Sequence, residues 1–243
     1  KYEKIDSDFD PLNYVLEKTK DKNIKVHAWF NTYILWSSPN NPIDSLHFYY
    51  QCPNCFATDF NGKSDSHIKL DQIQSQNWEG VFLSPLNKNV NKHILLVIDE
   101  LINTYDVDGL HLDYVRFQDM FYGYNKIGIK EFEDKYNFNP KDIDRGLISS
   151  RFGYLDSEVD SMTNLWEDYK INGVTNLVKD IKNLIENIDS SVMLSIAVKP
   201  NIFEAKYRWY QDWLSWVNLD LIDFAVVMNY EKNINKFNFK NRI

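Results

Sequence analysis

Two periods of apolar residues alternate along this chain. Between Asn87 and Thr104, the residues Val90, Ile94, Val97, Ile98 and Leu101 fall three and four apart, the spacing that gathers side chains on one face of an α-helix. Trp166, Val174, Leu177, Ile181, Leu184 and Ile188 keep the same period and predict a second long helix over 162–188. Asp10-Pro11 opens an earlier helix to about Lys20, with Asp as the cap, Pro in the first turn, and Leu12, Val15 and Leu16 on its apolar side. Shorter helices are predicted near 127–136 and 205–217. Four runs between these helices carry the period of two expected of strands, over 24–31, 107–113, 192–199 and 221–230.

Helices alternating with short strands imply crossover connections and a parallel sheet. Each strand has two faces. His27, Trp29 and Asn31 oppose Val26, Ala28 and Phe30; Gly109, His111 and Asp113 oppose Leu110 and Leu112. Ser195, Ala197 and Lys199 oppose Leu194, Ile196 and Val198, and Ala225, Val227 and Asn229 are expected to oppose Phe224, Val226 and Met228. One face is apolar throughout, and the other becomes polar toward the strand C-termini. An open doubly wound sheet would bury both faces and show nearly continuous apolar runs. The expected fold is therefore α/β, a TIM (β/α)8-type barrel with Asn31, Asp113, Lys199 and Asn229 converging at its mouth. Four strands fall short of eight, so the chain reads as a single partial barrel domain over 1–243 with about four central βα units. A long irregular insertion is expected at about 32–85.

With 27 Lys plus Arg against 35 Asp plus Glu, the net charge of −8 argues against nucleic acid as a partner. At 44% hydrophobic and 26% charged, the composition supports a buried core. No run approaches the ~20 apolar residues that cross a bilayer. The chain begins at Lys1 with no charged-then-apolar leader and reads as a mature or excised piece, which leaves export open. Cys52 and Cys55 lack the second pair a zinc site needs, so a structural role is expected ahead of a redox one. Aromatic residues make up 15% of the chain; many belong in the core, and flat rings also suit the apolar faces of sugars.

The segments 26–31, His-Ala-Trp-Phe-Asn after Val26, and 105–117, with Gly109-Leu110-His111-Leu112-Asp113-Tyr114-Val115-Arg116-Phe117 at its centre, resemble the bacterial glycosyl hydrolase-like family 10. Asp10-Pro11-Leu12, Leu83-Ser84-Pro85, Gln211-Asp212-Trp213 and Met228-Asn229-Tyr230 extend the resemblance in order over nearly the whole chain. It implies an eight-stranded barrel whose third to sixth strands are present here. It also implies a secreted or periplasmic protein, often a lipoprotein whose anchor would lie outside this chain, that hydrolyses polysaccharide, including cell-wall peptidoglycan glycans. One departure is Lys170, where the family pattern has Arg.

Asp113 is the central candidate, because a carboxylate in a barrel lumen needs a bond, a partner or a task. Gly-x-His-x-Asp looks like the fourth-strand motif of retaining α-glycosidases, in which Asp attacks the anomeric carbon or stabilises an oxocarbenium-like transition state. The bland alternative is a structural Asp bonded to Arg116 or to a backbone amide. His111 would orient Asp113 or bond a sugar hydroxyl, or would be a plain interior histidine. Arg116 would fork onto a carboxylate as brace or substrate contact. Glycoside hydrolysis takes a second carboxyl, for which Glu231 is the first candidate and Asp119 the reserve. Trp29, Asn31, Asn229 and Tyr230 would supply stacking and hydroxyl contacts, although the parity of Tyr230 favours packing. Lys199 would meet an acidic sugar substituent such as a muramic carboxylate, or neutralise Asp113. The expected partner is an oligo- or polysaccharide, with no metal or organic cofactor. The alternative is a non-catalytic carbohydrate-binding or cell-surface scaffold barrel, and a second carboxylate near Asp113 separates the two.

Overall fold

A computed structural model describes residues 8–68 and 78–230 of the chain. The described residues form six strands: β1 (His27–Asn31), β2 (Ile34–Trp36), β3 (Val81–Phe82), β4 (Gly109–Asp113), β5 (Met193–Val198) and β6 (Phe224–Val227). The helices are α1 (Pro11–Thr19), α2 (Phe48–Gln51), α3 (Lys88–Thr104), α4 (Lys126–Tyr136), α5 (Lys141–Asp144), α6 (Asp156–Ile188), α7 (Ile202–Arg208) and α8 (Trp213–Asn218). Strands β1, β4, β5 and β6 pair in parallel in that order, and β2 and β3 form a separate antiparallel pair. Asp10 caps α1 as its spacing predicts, accepting from the amides of Leu12 and Asn13 at 3.0 Å.

Leu110, Leu112, Leu194, Ile196 and Val198 are wholly buried in one cluster with Val90, Ile94 and Ile98 of α3 and Val174, Val178 and Ile181 of α6. Each such side chain stabilises the fold by ~1.5–3 kcal/mol relative to exposure. The opposite face of the sheet carries Trp29, 67% exposed, and Phe224, 42% exposed. Helices thus cover one face of the sheet, and the other is the concave lumen face of a barrel wall.

The register corrects the expected faces of β6. Ser195 lies beside Phe224 and Ala197 beside Val226, so Phe224 and Val226 face the lumen, while Ala225 and Val227 face the helices. Both faces of this strand are apolar in sequence, so alternation alone could not orient it. Asn229 lies two residues beyond the end of β6, half-buried, with its amide bonded to the Val227 carbonyl at 2.8 Å.

Three element boundaries also differ. The insertion at 32–85 holds β2, β3 and α2 rather than irregular chain alone, and its two strands lie outside the parallel sheet. The long helix begins at Asp156, where the Leu155 amide donates to Glu158 at 2.7 Å. The helix expected over 205–217 breaks into α7 and α8 at Tyr210, whose φ of 54° ends the helical path. Gln211 then turns inward and bridges the ends of β4 and β5. Its Nε2 donates to the carbonyls of Val115 and Ala197, both at 3.2 Å, and its Oε1 accepts from the Lys199 amide at 2.8 Å. Lys170 keeps an ion pair in place of arginine, donating to Glu167 at 2.8 Å and to the Tyr210 hydroxyl.

Much of the aromatic content is structural. Phe132 packs against Tyr136, Phe138, Trp166 and Tyr169 and thereby joins α4 to α6. Leu86 wedges between the same helices. A Cβ at Gly128 would stand 2.4 Å from the Leu86 Cβ, and one at Gly173 would stand 2.7 Å from a Leu86 methyl. Alanine in a helix interior gains about 1 kcal/mol over glycine, whereas forcing a methyl into a filled core costs about 1–3 kcal/mol. Gly128→Ala is therefore expected to lower unfolding free energy by up to about 2 kcal/mol in urea denaturation, and an increase would contradict this packing.

Candidate functional site

Asp113 ends β4 on the lumen face, in register with Asn31 at the end of β1. Its backbone carbonyl accepts from the Thr32 amide at 2.9 Å, and its carboxylate accepts from the Tyr114 amide at 2.7 Å. Tyr114 has φ 55°, a left-handed conformation that costs a non-glycine residue roughly 1–2 kcal/mol. That turn bends the amide back onto Asp113 and fixes the carboxylate at the rim. One layer deeper, the His111 Nδ1 and Ser195 Oγ are hydrogen-bonded at 2.9 Å, and the Trp29 indole meets the His111 ring edge-on at 5.1 Å. Gly109 leaves room below for the His27 ring, whose atoms lie as near as 2.3 Å to where a Cβ would stand.

Glu79, which the sequence pattern did not single out, completes the mouth. Arg116, 3% exposed, donates to Glu79 at 2.8 Å and to the carbonyls of Phe117 at 3.1 Å and Gln118 at 3.3 Å. Its guanidinium lies over the rings of Tyr114 and Phe82. Glu79 is placed by Gly80, whose φ of 148° and missing Cβ let the start of β3 approach the Trp36 carbonyl, 2.6 Å from where that Cβ would stand. Asn31, Tyr114 and Glu79 line one cleft of about 1110 Å³. The Tyr114 phenol is held above its ordinary pKa, first by burial and then by the negative charges of Glu79 and Asp113. A charged residue directly before Gly80 and the apolar run Val81-Phe82-Leu83 was the available signal for Glu79. Its place beside Asn31 and Tyr114 depends on the pairing of β2 with β3.

Glu231 lies outside the described residues. Asp119 accepts from the Arg208 Nε at 2.9 Å, an ion pair between the loop after β4 and α7. The Lys199 ammonium sits 4.5 Å from the centre of the Trp209 ring, with the Arg208 guanidinium 4.8 Å from the same centre. Burial, then Arg116 and Arg208, hold the Lys199 pKa down against the opposing fields of Glu79 and Asp113. Tyr230 is exposed. Cys52 and Cys55 form a disulfide, and Asn125, the N-cap of α4, donates to the carbonyls of Asn54 and Phe56 at 2.8 and 2.9 Å.

The sequence profile of glycosyl hydrolase-like 10 proteins matches residues 1–241. The chain belongs to this family. It is 25% identical over 194 residues to the glycosyl hydrolase YngK of Bacillus subtilis, covering 79% of this chain and 30% of that protein. It is 26% identical over 119 residues to the glycosyl hydrolase DigH of Escherichia coli, covering 47% and 23%, and 18% identical over 211 residues to an S-layer-related protein of Niallia circulans, covering 86% and 13%. The chain therefore spans less than a third of the length of these relatives. Its fold is similar to the glycoside hydrolase domain of PgaB (BpsB) from Bordetella bronchiseptica, with a TM-score of 0.55 at 12% identity over 89% of this chain and 54% of that one. The parallel sheet of this family member is accordingly part of a (β/α)8-type barrel wall.

Burial holds the His111 pKa below its ordinary value; Asp113 opposes that shift and His27 adds to it. The unfolded chain therefore takes up this proton first as pH falls through about 6.5, and stability is lost on the acid side of that value. Urea denaturation at pH 7, 6 and 5 is expected to show a smaller acid loss for His111→Asn than for the wild type. Equal losses would remove His111 as a source of the pH dependence.

Proposed function

We propose that this chain forms the core of a glycosidase that hydrolyses O-glycosyl bonds of a polysaccharide lying across the strand C-termini. The observation that carries this reading is the placing of two carboxylates about one strand end: Asp113 ends β4 in register with Asn31, and Glu79, before β3, lines one cleft with Asn31 and Tyr114. Asp113 attacks the anomeric carbon or stabilises the positive charge that develops there, and Glu79 handles the proton at the glycosidic oxygen. We assign this second role to Glu79, which shares its cleft with Asn31 and Tyr114, rather than to Asp119, which pairs with Arg208 on the loop after β4. Trp29, widely exposed beside His111, offers a stacking face, and Asn31 offers an amide for sugar hydroxyls. The cations around Trp209 suit an acidic substituent such as a muramic carboxylate, consistent with peptidoglycan strands as substrate. Asn229 and Tyr230 follow β6 and complete the candidate rim. The Cys52–Cys55 disulfide and the S-layer-related relative support a cell-surface or periplasmic setting. Among the described residues, no helix is long and apolar enough to cross a membrane.

The Arg116–Glu79 ion pair also favours a second reading, in which Glu79 is a brace and the barrel binds glycan without cleaving it. Release of reducing ends from peptidoglycan strands and from α- and β-glucans separates the two. Asp113→Asn is expected to lower kcat/KM by about 10³-fold, the scale of removing a group that stabilises developing charge. Glu79→Gln is expected to lower it by about 10²–10⁴-fold, as for a general acid–base group. The Asp113→Asn melt should stay close to the wild type, whereas Glu79→Gln, which leaves the buried Arg116 without its carboxylate, should melt lower while remaining folded. Unchanged hydrolysis in both variants would remove these carboxylates from the mechanism, and the anomer released would assign the stereochemistry.

A further inference from the structure

The cleft that begins at Asn31, Tyr114 and Glu79 does not end at the strand termini. It continues along β2 and the loop after it, past Trp36, Asn40 and His47. Its volume of about 1110 Å³ exceeds the ~300–1,000 Å³ of ordinary small-ligand pockets, which leaves room for more than a single sugar ring.

The wall of this extension is built in a particular way. The Trp36 Nε1 donates to the Asn40 carbonyl at 2.6 Å, which closes the loop on itself and fixes the indole. The His47 ring meets Trp36 edge-on at 5.2 Å, and its Nδ1 accepts from the Tyr49 amide at 3.1 Å. With Nδ1 accepting, the neutral imidazole carries its proton on Nε2, which makes it a donor. The result is a pinned aromatic ring that spends its own polar atom on the backbone, beside amide and hydroxyl groups from Asn40, Ser37 and Ser38. An apolar face rimmed by groups that both donate and accept matches a pyranose ring, which has one apolar face and a belt of hydroxyls. The charged groups along this wall, Asp44 and Glu79, are both acidic. This end therefore disfavours anionic sugars, in contrast to the cations around Trp209.

We propose that Trp36 and its loop form a remote subsite for uncharged sugar units, which holds the part of a glycan chain extending away from Asp113. The proposal rests on the glycan-cleaving reading for its ligand class, and it is tested by binding so that the two can fail separately.

Calorimetric titration of the Asp113→Asn protein with N-acetylglucosamine and glucose oligomers of two and six units supplies the test. Adding Trp36→Ala is expected to weaken the favoured hexamer about tenfold and leave its dimer unchanged, while Trp36→Phe stays within about threefold. Thermal melts accompany each variant. Should Trp36→Ala fail to fold, Asn40→Ala replaces it, with an expected loss for the hexamer alone. Hexamer and dimer weakened alike, or hexamer affinity indifferent to Trp36 and Asn40, or no hexamer binding by a folded protein, would each overturn the subsite. Length-dependent binding that needs Trp36, in a wild-type protein that releases no reducing ends, would uphold the subsite and overturn hydrolysis.

Discussion

Asp113 faces the mouth because β4 pairs with β1 in a single register. That pairing aligns Asn31 with Asp113, Trp29 with His111 and His27 with Gly109, so three layers of lumen side chains are set by one ladder of backbone hydrogen bonds. A shift of one residue would turn Asp113 under the helices and bring Leu112 into the lumen. The register is held from the other side by Leu110 and Leu112, which have no exposed surface. The same burial that stabilises the sheet thus aims the carboxylate.

Tyr114 and Arg116 then convert a strand end into a site. The left-handed turn at Tyr114 ties the Asp113 carboxylate to the next amide, and two residues later Arg116 reaches across to Glu79 on a different part of the chain. Strain of this kind persists only where neighbours over-determine it, and here the Tyr33 amide donates to the Tyr114 carbonyl at 3.3 Å. A second left-handed residue, Tyr210, lets Gln211 lace the ends of β4 and β5 together. Two departures from regular structure therefore brace the same rim from opposite sides.

The long insertion after β1 has the same logic. Asn87 and Asn125 each cap a helix with one side-chain atom and donate with the other to the Asn54 carbonyl, at 3.1 and 2.8 Å, so the disulfide-closed turn is clamped by the starts of α3 and α4. Anchoring the insertion there lets β2 and β3 stand beside the mouth, with Trp36 and Glu79 lining one cleft.

The periods of two and 3.6 by themselves determined the four parallel strands, the main helices and the lumen parity of His27, Trp29, His111 and Asp113, because burial on one face writes directly into alternation. The parity of β6 was not legible, since Phe224, Ala225, Val226 and Val227 are apolar on both faces and only hydrogen-bond register orients them. Nor was the break at Tyr210, where the apolar pattern continues while the backbone does not. The role of Glu79 was hidden for a different reason: a charge before a glycine and an apolar run marks a strand start but not a site, and Glu79 sits 34 residues before Asp113, with its place at the mouth set by an antiparallel pair and a buried arginine. Local periodicity reports which face of an element is buried. Which groups meet across elements is a property of long-range pairing, and only the tertiary structure decides it.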